Sequence, residues 1–165
     1  MGLEAEPGFH ERLYESLTKR GVEAFLTLGG HDIICRTPTF RNLEEFRRIV
    51  DGILFTKYGG NVIVANCTSY IILERHSKKT RSRPSAFCFI RSGRMSSRNH
   101  FDGMVGRVRD LPSVLAVSVV IGYFDLVCEV RTENIAQLKQ AVDQILATPG
   151  VSSRAVMVCM TTTSK

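Results

Sequence analysis

The sequence predicts an α+β chain built from two similar halves, and three observations carry that expectation. The first is the stretch 115–132, where Leu115, Val117, Val119 and Ile121 alternate along one side before a glycine, and Phe124, Leu126, Cys128 and Val130 alternate after it. The second is a pair of helix starts, Asn42 with Glu45 and Asn134 with Gln137, each a capping-box spacing ahead of an apolar stripe. The third is a register between the halves. Adding 92 carries Asn42, Leu43, Phe46, Val50, Ile53 and Leu54 onto Asn134, Ile135, Leu138, Val142, Ile145 and Leu146, and adding 93 carries Gly29, Asp32 and Cys35 onto Gly122, Asp125 and Cys128.

Taken in order, residues 9–20 place Phe9, Leu13, Tyr14 and Leu17 at helical spacing, and Gly21 ends the pattern. Ala24, Leu26 and Leu28 alternate up to Gly29 and Gly30, and residues 33–36 resume the apolar pattern, so a hairpin is expected there. The capped helix from Asn42 follows, Gly59 and Gly60 make a turn, and residues 61–74, rich in Val, Ile, Thr and Tyr, are expected to form one long strand. Residues 75–84 hold no apolar side chain and read as an exposed boundary. Beyond it come a strand at 86–90, a helix marked by Phe101, Met104, Val105, Val108 and Leu111 and closed by Pro112, and the central hairpin. Its turn is expected at Gly122 and Tyr123, with Gly122 at positive φ. The helix from Asn134, a turn at Pro149 and Gly150, and a last strand at 155–163 complete the chain.

The second half therefore reads β-α-β-β-α-β, the ferredoxin-like order. The first reads α-β-β-α-β and lacks an opening strand, because residues 1–7 are short and polar. The expected division is 8–75 for an incomplete first repeat, 76–84 for a basic linker and 85–163 for a complete second repeat. Ala116 and Val120, on the second side of the first hairpin strand, are apolar too. Both faces of that sheet then need cover, and at least a homodimer is expected.

With 165 residues and 44% hydrophobic composition, the chain can bury a real core. A formal charge of +6 suits anionic partners in general without defining a site. The cysteines, Cys35, Cys67, Cys88, Cys128 and Cys159, are odd in number, form no Cys-x-x-Cys pair and sit in apolar runs, so reduced buried thiols and a cytoplasmic location are expected. No signal peptide or membrane-spanning run is read. His31 and Asp32 could be an acid/base pair, but neighbours on a strand point to opposite faces, which favours a turn-stabilising Asp and an exposed His. His10, His76 and His100 lack metal-ligand spacing, and no nucleophile elbow, Walker loop or dinucleotide glycine pattern occurs. Neither enzyme activity nor a cofactor is expected. Asp125 has its own structural reading, as a side chain bonding turn amides. Arg91, Arg94 and Arg98 with Lys78, Lys79, Arg81 and Arg83 could meet phosphate, against a plain solvated surface.

Residues 85–160 resemble the effector-binding domain of the Lrp/AsnC (feast/famine) regulators. The motifs that carry the likeness are Phe87-Cys88-Phe89-Ile90, Leu111-Pro112-Ser113-Val114, Gly122-Tyr123-Phe124-Asp125-Leu126, the helix 135–147 and Thr148-Pro149-Gly150-Val151. Gly29-Gly30-His31-Asp32-Ile33 is a weaker copy, and Thr68-Ser69-Tyr70-Ile71-Ile72-Leu73-Glu74 resembles the family's last strand. The resemblance implies a dimeric α/β barrel type of fold that binds amino acids or related small molecules near the Gly-x-x-Asp loop. Gly122, Tyr123, Phe124 and Asp125, with Gly29, His31 and Asp32 of the weaker copy, would then be ligand-binding. So would Arg154 and Val156, which stand where the family carries a Thr-x-Thr pair. The family's DNA-binding helix-turn-helix has no counterpart in residues 1–22, so direct DNA binding is not expected. The implied function is regulatory, linked to transcription through an effector, self-assembly and full-length Lrp/AsnC relatives. The alternatives are an enzyme or cofactor-binding protein on the same scaffold, and a basic nucleic-acid-binding module working through residues 75–83.

Overall fold

In the computed structural model, which describes residues 1–37, 39–78, 83–93 and 97–160, the chain divides into a unit built on Met1–Ser69 and a unit of Tyr70–Cys159. The first unit runs β1 (Gly2–Ala5), α1 (His10–Lys19), β2 (Glu23–Leu28), β3 (Ile33–Arg36), α2 (Leu43–Leu54), a short hairpin of β4 (Lys57–Tyr58) and β5 (Asn61–Val62), and β6 (Val64–Thr68). An opening strand, not expected from the sequence, is thus present. It is central: Leu3 pairs antiparallel with Ile33 on one side and Cys67 on the other. Leu3 is fully buried among Leu13, Leu17, Leu26, Ile33 and Ile53. One core side chain in so short a polar run leaves no periodic signal, yet bonding along both edges satisfies its backbone and holds it in place.

The helices form where their caps say they should. The Asn42 side chain accepts the Glu45 N–H at 2.9 Å, and the Glu45 carboxylate accepts the Arg41 N–H at 2.7 Å. Gly59 and Gly60, at φ 58° and 88°, turn the β4–β5 hairpin in a conformation that side-chain-bearing residues rarely adopt.

The second unit contains β7 (Ile71–Ser77), β8 (Ala86–Ser92), α3 (Arg98–Asp110), β9 (Val114–Ile121), β10 (Leu126–Val130), α4 (Ile135–Ala147) and β11 (Val151–Cys159). Its sheet is antiparallel in the order β11-β8-β10-β9-β7, so a β-α-β-β-α-β unit carries one extra edge strand. The cap pattern recurs at α4: the Asn134 side chain accepts the Gln137 N–H at 2.9 Å, and the Gln137 side chain accepts the Glu133 N–H at 2.9 Å. Both helices bury one stripe against β8–β10, with Ile90, Met104, Val108, Leu126, Cys128 and Ile145 fully enclosed. Each such aliphatic side chain contributes about 1.5–3 kcal/mol through burial. On the opposite sheet face Phe87, Phe89, Ala116, Ser118, Val120 and Glu129 are also buried. Glu129 Oε1 there pairs with Arg75 Nη2 at 3.1 Å.

The single strand expected over 61–74 is interrupted at Ser69 and Tyr70, and its parts part company: β6 pairs with β1, whereas β7 pairs with β9. The two units divide after Ser69, where the expected linker was 76–84. Lys78, inside that expected linker, still donates its N–H to Leu115 O at 2.8 Å. Local alternation reports that a segment is extended, and it carries no information on which neighbour the segment will bond. Residues 76 and 77 of the expected linker belong to β7, 79–82 lie outside the described residues, and the last strand is described only to Cys159. The expected residues 161–163 lie outside the described residues.

Candidate functional site

Val120 and Asp125 close the central hairpin, the Val120 N–H donating to Asp125 O at 2.9 Å, so Gly122–Asp125 form a longer connection than the tight turn read from the sequence. Gly122 is not among the positive-φ glycines, which corrects the expected reason for it. What demands glycine is space: a Cβ there would lie 2.7 Å from Cδ1 of Tyr70. Tyr70 in turn packs on Phe89 (5.4 Å between centroids) and Phe124 (6.5 Å), and Phe89 on Phe124 at 5.6 Å. Tyr123 meets Phe124 edge-on at 5.0 Å, is 66% exposed and lies under the Arg91 guanidinium, 4.8 Å from the ring centroid. Tyr70 and Phe89 escape sequence reasoning because only the fold brings them to the loop.

Asp125 anchors this loop to β8. Its Oδ2 accepts the Ser92 N–H at 2.7 Å and the Ser92 hydroxyl at 2.8 Å, and its own N–H donates to Ile90 O at 2.9 Å. The first unit uses the same device. Asp32 Oδ2 accepts the Ala5 N–H at 2.9 Å, the Asp32 N–H donates to Leu3 O at 2.9 Å, and Thr27 N–H donates to Asp32 O at 2.8 Å. A carboxylate so placed satisfies the last free amide of the first strand and fixes the hairpin against it.

His31 departs from its expected exposure. Its ring is wedged against Gly2, where any Cβ would collide with it, and its Nδ1 is buried without a hydrogen-bond partner, 3.6 Å from Glu4 Oε1. Burial lowers its pKa below the ordinary 6.5, with Glu4 opposing, so neutral imidazole is favoured. Gly29, at φ 146°, opens this hairpin.

Arg154 and Val156 sit elsewhere. In register they face Ile90 and Cys88, and Val156 packs on the helix-side core, so both side chains lie on the sheet face opposite the Phe89–Phe124 cluster. Hence the hairpin residues Gly122, Tyr123, Phe124 and Asp125 come together, while this pair does not join them. The cysteines are all free thiols; Cys35, Cys88 and Cys128 are buried, whereas Cys67 and Cys159 are only partly so. Burial raises all five pKa values, that of Cys88 to about 12 and that of Cys159 to about 11, which disfavours thiolate chemistry. Among the described residues no group of three or more His, Cys, Asp or Glu side chains could hold a metal, and no helix is long and apolar enough to cross a membrane.

The loop, its anchor and the β-α-β-β-α-β order coincide with one family model. Residues 85–165 match the Lrp/AsnC ligand binding domain. The Lrp/AsnC match covers β8–β11 with both helices, including the Asp125 anchor, and leaves the first unit and β7 outside. It suggests a regulatory, effector-binding role for that region. No curated protein matches the chain, and no solved structure does.

Proposed function

We propose that the chain is a regulatory protein of the Lrp/AsnC type that binds a small effector of the amino-acid class and acts through its state of assembly. The Lrp/AsnC match over 85–165, with its hairpin pinned by Asp125, is the observation that carries this reading. The two units form a tandem repeat in this proposal, because Asp32 and Asp125, and likewise Asn42 and Asn134, make equivalent bonds in each. Tyr123 and Arg91, exposed at the loop, are the side chains best placed to meet a ligand or a second copy. Gly122 and Asp125 shape the loop, and Gly29, His31 and Asp32 do so in the first unit. The protein works in the cytoplasm as at least a homodimer, alone or with full-length Lrp/AsnC relatives, and reaches transcription through them.

An effector changes assembly only if it prefers one assembled state. Thermal-shift screening of the full chain against the twenty amino acids tests this reading. A ligand present at about 100 times its Kd adds about 2.7 kcal/mol, which for a chain of this size raises Tm by roughly 5–10 °C. A flat response across the whole set refutes effector binding.

A further inference from the structure

In the first unit β6 pairs with β1 and stands last in the strand order, so among the described residues its outer edge has no strand beside it. Leu3 turns its carbonyl to β3, where it accepts the Asp32 N–H, and Cys67, the register partner of Leu3 on β6, therefore turns its own backbone groups outward. The Cys67 N–H donates to the Asn66 side chain at 2.8 Å rather than to a strand. Exposed edges are commonly kept from pairing by charged side chains or proline. Residues 64–69 carry neither. By contrast β7, the last strand in the order of the second unit, holds Glu74, Arg75 and His76.

An undercovered helix face lies beside that edge. α2 packs on β6, and α1 on β1 and β2. The Gly52 side of α2 faces α1, since a Cβ there would lie 3.0 Å from the guanidinium of Arg20, the α1 C-cap. At about 3.6 residues per turn, Leu43, Val50 and Leu54 lie half a turn round from Gly52, on the side away from α1 and toward the open edge. Leu43 is 77% exposed, and Val50 and Phe46 are only half-buried. Leu138 and Val142 of α4, which stand 92 residues after Phe46 and Val50, are both buried at 6% exposure. The strand beneath accounts for the difference: α4 lies on β11, with nine residues, and α2 on β6, with five.

We infer that the open edge of β6 and the adjoining face of α2 form an interface with a second copy of this chain. The two β6 strands run antiparallel about a two-fold axis at Cys67, where each copy donates its Cys67 N–H to the Cys67 carbonyl of the other, and the two α2 helices bring Leu43, Phe46 and Val50 together on one side of the joined strands. Pairing a strand with itself sets like residues close to one another, which penalises any charge it carries. β6 carries none, so it fits its own copy, whereas β7 paired in this way would crowd Glu74, Arg75 and His76 against their equals. The edge is used up by one partner, and the assembly closes at two copies. This interface rests on the self-assembly proposed above and gives it a surface.

Sedimentation velocity of the full chain over a dilution series tests it, beside Val50→Glu on the α2 face, Cys67→Pro, which removes the outward N–H, and Leu73→Glu on β7. Val50→Glu and Cys67→Pro are each expected to raise the dissociation constant of the dimer tenfold or more, and Leu73→Glu to leave it unchanged. A second measurement needs no disruptive variant. Antiparallel partners that exchange hydrogen bonds hold their Cα atoms about 5.5 Å apart, within disulfide reach. Mild oxidation with copper phenanthroline is therefore expected to link two native chains, with the link kept in Cys159→Ser and lost in Cys67→Ser. A dimer that withstands Val50→Glu and Cys67→Pro and gives no Cys67 link would overturn this interface while sparing self-assembly. Species larger than two copies would overturn the closed two-fold arrangement. A native chain that stays single at every concentration would overturn the interface and self-assembly together, leaving effector binding to the thermal-shift screen.

Discussion

Single residues here are fixed by partners that lie far away in sequence. Gly122 reads as a turn glycine, but its constraint is the Tyr70 ring, so Gly122→Ala is expected to cost about 1–3 kcal/mol by overpacking, and Tyr70→Ala in the same chain should recover part of it. Chemical denaturation of the four-member cycle measures that coupling; additive effects would place the strain elsewhere. Asp125 was legible as an anchor because Asp beside a turn so often bonds backbone amides, although its partner Ser92 was not. His31 was misread as exposed, since nothing local shows that Gly2 lies beneath it. Its lowered pKa has a consequence with a definite sign. The unfolded chain takes up the proton near the ordinary 6.5 and the folded chain only below that, so the stability tied to neutral His31 is fully present above 6.5 and is lost as pH falls. Melting from pH 7.5 to 5 should therefore decline more steeply in the native chain than in His31→Gln, and parallel curves would show that His31 does not contribute.

At the level of elements, whatever depends on spacing within a segment was readable, and whatever depends on pairing was not. The stripe and cap of α2 and α4 follow from residues three to four apart, so the helices were legible to within a residue or so. We expect Asn42→Ala and Asn134→Ala each to cost ~1 kcal/mol, measured as a shift in denaturation midpoint with an unchanged slope. Replacement of either by Ser should restore most of the loss if the side-chain acceptor is what matters. In contrast, β1 was missed for want of a pattern, and β7 was joined to the wrong strand because an alternating run looks the same whichever edge it bonds. The Gly122–Asp125 hairpin was located correctly by its alternation, though its length was underestimated.

For the whole molecule, the sequence made an α+β chain with ferredoxin-like order readable in its second half, since four strands and two helices there each carry their own signal. The first unit runs β1-α1-β2-β3-α2-β4-β5-β6, with β1 as the opening strand that the sequence did not show. Val120 belongs to the sheet face without helices and is 6% exposed, so Val120→Asp buries a charge and is expected to cost roughly 3 kcal/mol or more. Unchanged melting and sizing in that variant would mean that the face meets water. Assembly is where effector binding must register if the protein is a regulator that acts through its assembled state. Sedimentation velocity of the full chain, run without ligand and again with the amino acid that most raises its melting temperature, therefore bears on the central claim most directly. We expect a species of at least two chains in the absence of ligand and a clear redistribution of mass when the amino acid is added. A single-chain species that is the same in both runs would contradict it.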